Sequence, residues 1–416
     1  MVISFSMISK RRILFYFVLL FSFILTGKVA ASTESGLFTL LDDYNLDYRF
    51  MVQSSLVGLS LSDNVKDKVP RQWLPEHGLL STEARLDLKA TPSDWLTLGL
   101  NPRLRLNMTC PDEWHFENDL YLNGWLLQVR PTDSLQLEWV RQNLQWGPSY
   151  LTSPSNPFGN ENGKNMPSVE LPATTYLKAN WAPRDNYSIS LLANVAGERV
   201  PRALSYPDAK LPDWLKFLSS LAESGNSFRP TYAIKNDFTF DRRNLSFILS
   251  KREGDKNPRA GIYGSWNILD EIIVYAEGSS NFHSDNQLLL GSTYTFVDSS
   301  FLALEYFRNE KRQSDSDSSI FAGKNSIGTS SGSAFTSRNY MLLQYVTNKL
   351  IDRTMLAARW IINLDQNCHR LALQAEYELN DQTTLFANVV YDVGKNSDEY
   401  GSLIRTLVNI GVNFYF

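Results

Sequence analysis

Four histidines, His77, His115, His283 and His369, are all the imidazole this chain possesses. A serine hydrolase needs one of them beside a serine and oriented by a third group, and none stands at a clear inward position of a strand. His369 shares parity with Leu371 and Leu373, so alternation turns it outward near a rim. Cys110 and Cys368 are the only thiols. Cys368 and His369 are neighbours, so on a strand they point to opposite faces and make no pair of metal ligands. Both cysteines fall in connections, where an oxidising compartment permits a bridge, while the distance between their strands argues against one. Phosphate-binding glycine motifs are also missing. These observations predict a protein that is not an enzyme and carries no cofactor or metal.

What the sequence does offer is charge at every second position. Arg85 and Lys89 alternate with Ala84, Leu86, Leu88 and Ala90, and Arg103 and Arg105 alternate with Leu104 and Leu106. Ionised side chains packed between leucines need one wet face and one apolar face. Followed strand by strand, parity nominates Arg85, Arg103, Arg105, Glu138, Lys178, Glu277, Glu305, Arg359, Arg370, Glu376 and Arg405 as inward-facing. A ring of one sign would select an ion. This mixture instead fits a transverse field across a water-filled pore or a set of ion pairs helping to fill it, with part of the set paired between neighbouring strands to stiffen the wall.

The elements that must hold those charges are strands. From Thr406 to Phe416 the even positions read Thr, Val, Ile, Val, Phe, Phe, and the odd ones Leu407, Asn409, Gly411, Asn413 and Tyr415. This alternation, closing on Phe414 and Phe416, resembles the last strand of a bacterial outer-membrane β-barrel, in which the terminal aromatic is the signal read by the insertion machinery. The same alternation recurs along the chain, punctuated by tight turns such as Thr91–Asp94, Pro131–Asp133, Asp241–Asn244 and Leu350–Arg353. Longer connections lie between these turns, among them 109–116, 148–172, 199–228 and 312–337. Regular exchange of tight turns with longer loops puts each kind on its own rim. The count from Tyr48 gives 18 antiparallel strands, or 16 if the first hairpin is misread. The predicted fold is an all-β transmembrane barrel with short periplasmic turns and long extracellular loops. Trp95, Trp181, Tyr187 and Tyr415 flank the tight turns, where an interfacial girdle would lie.

The N-terminal stretch places the chain outside the cytoplasm. Lys10, Arg11 and Arg12 precede an apolar run from Ile13 to Leu25, and Val29-Ala30-Ala31 supplies a small-residue cleavage site, so residues 1–31 read as a signal peptide. That stretch holds four of the 40 basic residues and none of the 44 acidic ones. The remainder is therefore net acidic, which argues against a nucleic-acid partner. Residues 32–47 form a short periplasmic lead with Leu37, Leu40 and Leu41 on one face, and 48–416 form the barrel. A receptor with an N-terminal plug domain would need far more chain ahead of the first strand.

Three connections are distinctive. Residues 311–338 are rich in Ser, Gly and Asp and read as a solvated loop. Residues 201–226 carry Leu211, Trp214, Leu215, Leu218 and Leu221 at helical spacing, with Pro212 suited to a first turn, an amphipathic helix that could fold into the barrel mouth and narrow it. The third contains Arg141-Gln142, Trp146-Gly147 and Asn156-Pro157, followed by Leu171-Pro172. This run resembles an element of outer-membrane porin-like proteins related to the alginate-export group, although Val140 stands where they carry Gly. The resemblance covers about 130–185 and implies an 18-stranded channel, with Trp146 anchoring a strand end and Gly147 bending the chain inward. The expected function is passive passage of polar or charged small solutes through an outer-membrane channel, with lipid and the insertion machinery as partners. A polysaccharide export or assembly barrel is the alternative, and a barrel-embedded hydrolase a more remote one.

Overall fold

The computed structural model describes residues 45–61, 78–109, 115–159, 170, 173–196, 229–282, 285–310, 335, 337–395, 398–401 and 404–416. The expected signal peptide, nearly all of segment 32–47, the amphipathic stretch 201–226, Cys110, and the bulk of 311–338 lie outside those residues.

Eighteen strands follow one another: β1 Leu46–Leu61, β2 Gly78–Ser93, β3 Leu96–Thr109, β4 His115–Thr132, β5 Leu135–Gln142, β6 Thr174–Arg184, β7 Tyr187–Ala196, β8 Thr231–Phe240, β9 Arg243–Arg252, β10 Arg259–Asn267, β11 Ile272–Ser280, β12 Asn286–Thr295, β13 Phe301–Asn309, β14 Asn339–Ile351, β15 Thr354–Asn363, β16 Cys368–Asn380, β17 Thr383–Val393 and β18 Ile404–Tyr415. Each pairs antiparallel with its neighbours in sequence, and β1 pairs with both β2 and β18, so the sheet closes on itself. Closure leaves no unpaired edge, the condition for a sheet to stand in an apolar solvent. Every second connection, beginning with the one after β2, has five residues or fewer and these share one rim; the other rim carries all the longer connections together with the short 110–114, 281–285 and 364–367.

The side-chain period of two is visible directly on β13. Leu302 and Leu304 are 36% and 45% exposed, while Ala303 between them and Glu305 after them are fully covered. β9 repeats the pattern, with Phe247 and Leu249 exposed and Ile248 and Ser250 buried. An outer surface of exposed Leu, Ile, Phe and Tyr continues round the ring, through Leu120, Leu191, Tyr232, Leu290, Leu373 and Ile410. A contiguous apolar face of this size is foreign to water. Near the tight-turn rim Trp95, Trp181, Phe240 and Trp266 are exposed, and Tyr294, Phe296 and Tyr345 form a chain of edge contacts at 4.8 and 6.3 Å. The seam is fastened by Phe416, whose N–H donates to Phe50 O (3.0 Å) while the two rings lie 5.5 Å apart. Phe414 faces outward beside Val412 and Ile410, with Val52 as its cross-strand partner.

Candidate functional site: a connection folded into the barrel

The β5–β6 connection does not stay on the rim. β5 ends at Gln142, which pairs with Thr174, and at Arg141, which is buried beneath Trp125 (5.4 Å, cation over ring) with Nη1 donating to Thr175 Oγ1 at 3.2 Å. Four residues later Trp146 turns against the inner wall of β7 to β10, packing with Leu192, Ala233 and Ile248 and edge-on to Phe158 at 5.5 Å. Gly147 follows with φ +75°, a left-handed conformation that side chains resist. A Cβ there would also fall 2.8 Å from Cδ of Glu277. The sequence bends because this residue has neither obstacle.

Beyond the bend, the loop is held by two carboxylates of β11 and β13, strands that stand across the ring from β5. Glu277 accepts from Ser149 Oγ (2.8 Å), Ser153 Oγ (2.5 Å), Ser155 Oγ (2.7 Å) and Ser155 N (3.1 Å). Glu305 accepts from the backbone N–H groups of Tyr150 (2.6 Å) and Leu151 (2.7 Å), and from Tyr275 Oη (2.6 Å). Such a span is possible only through the interior, so the loop crosses the lumen. Its tip adds an apolar contact: Leu151 and Tyr150 pack with Tyr275, Leu289, Phe307, Tyr340, Leu342 and Ile361, a cluster that also takes in Tyr400 and Phe335. At Ser155 the loop backbone lies on β10, where a Cβ at Gly261 would meet Ser155 O at 3.0 Å. Asn156 closes the local turn. Its Nδ2 donates to Leu144 O (2.8 Å) and its Oδ1 accepts from Phe158 N (3.1 Å), with Pro157 between them.

The returning arm is tied to the opposite side. Arg103 of β3 grips Glu170 with Nε at 2.9 and 3.1 Å and Nη2 at 2.6 Å, and also holds Asp87 at 2.8 Å. Carboxylates of the inner wall thus hold the loop's outward limb, and an arginine holds its return.

The other charged positions are largely organised as pairs. Glu83 receives Arg85 (2.6 Å) and Arg105 (2.5 Å), and Arg105 adds Tyr121 Oη at 2.9 Å. Lys178 reaches Glu138 at 3.2 Å across neighbouring strands. Arg370 and Asp392 form a two-bond fork at 2.8 Å each, with Tyr400 over the guanidinium at 4.8 Å. Arg359 donates twice to Gln344 (2.8 and 2.7 Å), Glu376 accepts from Gln374 (2.8 Å), and Arg405 donates to Gly394 O (3.1 Å). Lys235 pairs with Asp237 at 2.7 Å and lies 5.4 Å from the Trp146 ring.

Parity alone did not single out Glu83, Asp87, Tyr275, Asp392, the three serines or Glu170. The serines and Gly147 carried a signal, a dense small-residue run between Trp146 and Pro157, but nothing local names their partners. His369 lies edge-on to the outward Trp360 at 5.9 Å, and Cys368 is buried with Sγ 3.7 Å from Gln366 Oε1.

No protein-family model matches the chain, and no curated protein matches it. Among solved structures it is similar to a triple mutant of the Rhodopseudomonas blastica porin, at 12% identity and TM-score 0.44 over 89% of this chain and 100% of that one. A double mutant of the same porin gives 13% identity and TM-score 0.44 over the same shares.

Proposed function

We propose that the chain is a channel of the Gram-negative outer membrane, passing polar or charged small solutes passively through a lumen narrowed by residues 143–159 of the β5–β6 connection. The observation that carries this reading is the division of the wall: leucines outward, ionised pairs inward, and a loop braced across the interior by Glu277, Glu305 and Arg103. Lipid suits the outer face, and water suits the inner one. In this reading the tight turns face the periplasm and the long connections face outward, and Phe414 and Phe416 are the strand end presented to the insertion machinery. The inward charges belong to the pore lining or to the bracing of the loop, with Glu277 and Glu305 the most enclosed of them. The run Arg141, Gln142, Trp146, Gly147, Asn156 and Pro157, on which the likeness to alginate-export-type porins rests, is here the root and bend of the constricting loop.

Single-channel recording in planar bilayers tests the proposal. Discrete ohmic steps are expected, and no conductance above background would defeat it. A second reading, an export or assembly barrel with an occluded lumen, draws support from the aromatic cluster around Tyr150 and Leu151. It predicts conductance only after the 148–159 segment is removed.

A further inference from the structure

On the long-connection rim, a polar cavity of about 630 Å³ opens between the constricting loop and the inner wall. Its floor is Pro154, Asn156, Pro157 and Phe158. Thr231, Ser250, Arg252, Arg259, Asn281 and Gln287 rise around it from strand ends and connections, and the β9–β10 connection adds Asp255, Lys256 and Asn257. The strand residues all stand at inward parity, so the cavity faces the lumen above the constriction. Its size falls within the range of small-molecule sites, about 300–1,000 Å³.

The walls carry both signs, Arg252, Lys256 and Arg259 against Asp255 and Asp285, and Arg252 is itself engaged by Thr231 Oγ1 at 3.4 Å. Arg259 is already engaged, donating to Ser279 Oγ at 2.7 Å and paired with Asp285. Asp255 stands beside Lys256. An anionic solute would meet Asp255 and Asp285, and a cationic one would meet Arg252 and Lys256. A neutral solute whose groups each donate and accept can use both kinds of partner, together with the amides of Asn257, Asn281 and Gln287. The prolines and the Phe158 edge offer an apolar platform for the C–H face of a ring. Phe158 is itself fixed between Trp146 (5.5 Å) and Tyr176 (5.1 Å), so the platform is rigid.

We infer that this cavity is a binding subsite for a neutral polyhydroxylated solute of one to three sugar rings, captured at the mouth before the constriction. The inference rests on the channel reading and adds to it a ligand class and a place.

The test is equilibrium binding to the full barrel in detergent, which needs no conduction. Raffinose is titrated by calorimetry or saturation-transfer NMR, with gluconate and choline as charged comparisons. Raffinose is expected to bind in the millimolar range and more tightly than either ion. Asn257→Trp, which fills the cavity from an exposed connection, should weaken it at least tenfold while heat-modifiable gel mobility is unchanged. Asp285→Asn, which removes the counter-charge of Arg259, should shift the preference towards gluconate. No raffinose binding, binding unaffected by Asn257→Trp, or wild-type preference for gluconate or choline would each overturn the inference. Planar bilayers with the same preparations separate the two claims. Conductance without raffinose binding removes the subsite and leaves the channel, whereas binding without conductance removes the channel and leaves a capture site.

Discussion

Arg103 and Glu170, 67 residues apart in sequence, form a forked ion pair that joins the wall of β3 to the returning arm of the loop that crosses the lumen. The arginine is 4% exposed, so its charge is directed into the structure rather than into the pore. Reversing it with Arg103→Glu sets three carboxylates against one another, since Asp87 lies on the same guanidinium. Single channels should then become noisier and wider, with selectivity changing less than conductance. The charge swap Arg103→Glu with Glu170→Arg should restore part of the quiet state. A pure selectivity change without altered conductance would show that the fork does not hold the loop.

Glu277 is 1% exposed and takes four hydrogen bonds from the loop. Glu277→Ala takes the acceptor from Ser155 N and Ser155 Oγ, each at a cost of about 1–3 kcal/mol while it stays buried, whereas Ser149 and Ser153 keep Thr152 O and Trp146 O as acceptors. The loop should detach from β11, raising conductance and exposing the 149–155 stretch to protease. Glu305→Ala should act in the same direction. Protease resistance equal to wild type in both variants would contradict the bracing described above.

At Gly147 even a methyl group is excluded. Gly147→Ala meets the Glu277 carboxylate and a left-handed backbone that alone costs about 1–2 kcal/mol. The barrel should still form, seen as a normal shift on a heat-modifiability gel, while the loop loses its protease resistance.

Phe416 fastens the seam by a backbone hydrogen bond to Phe50 and a ring contact with it. Phe416→Ala should lower the yield of heat-modifiable barrel well below that of a variant lacking residues 314–319. Equal yields would make the aromatic dispensable.

On the β15–β16 connection, burial raises the Asp365 carboxyl. Hydrogen bonds from Asn339 Nδ2 (2.8 Å), Asn339 N (2.9 Å) and Arg338 N (2.6 Å), with the Arg338 charge, outweigh this and hold it below the usual aspartate range. A depressed carboxyl stabilises the fold above its ordinary pKa, and that contribution disappears as pH falls through the folded value. The Asn339 amide resonance should therefore titrate below the aspartate range, and Asp365→Asn should abolish that step.

The strands and their turns were legible because alternation is a local property: Leu302-Ala303-Leu304-Glu305 announces its two faces within four residues. The count of 18 and the two rims followed from the spacing of turns such as Pro131–Asp133. The crossing loop was legible only in its root, through Trp146 and Gly147. Its destination was not, because Tyr150 and Glu305 are 155 residues apart and no pattern along the chain relates them. Parity also gave the inward arginines but not their partners. Glu83 gathers two of them, and Arg103 turned out to serve the loop as much as the wall.

The closure of β1 against β18 has a consequence for biogenesis. Leu46–Leu61 meets β2 at once, yet its other side waits for Ile404–Tyr415, and so for the whole intervening polypeptide. Until then both flanks of the growing sheet are sticky, and contacts this distant in sequence form slowly. The last hairpin to arrive turns a curved ribbon into a ring and removes both open flanks at one stroke.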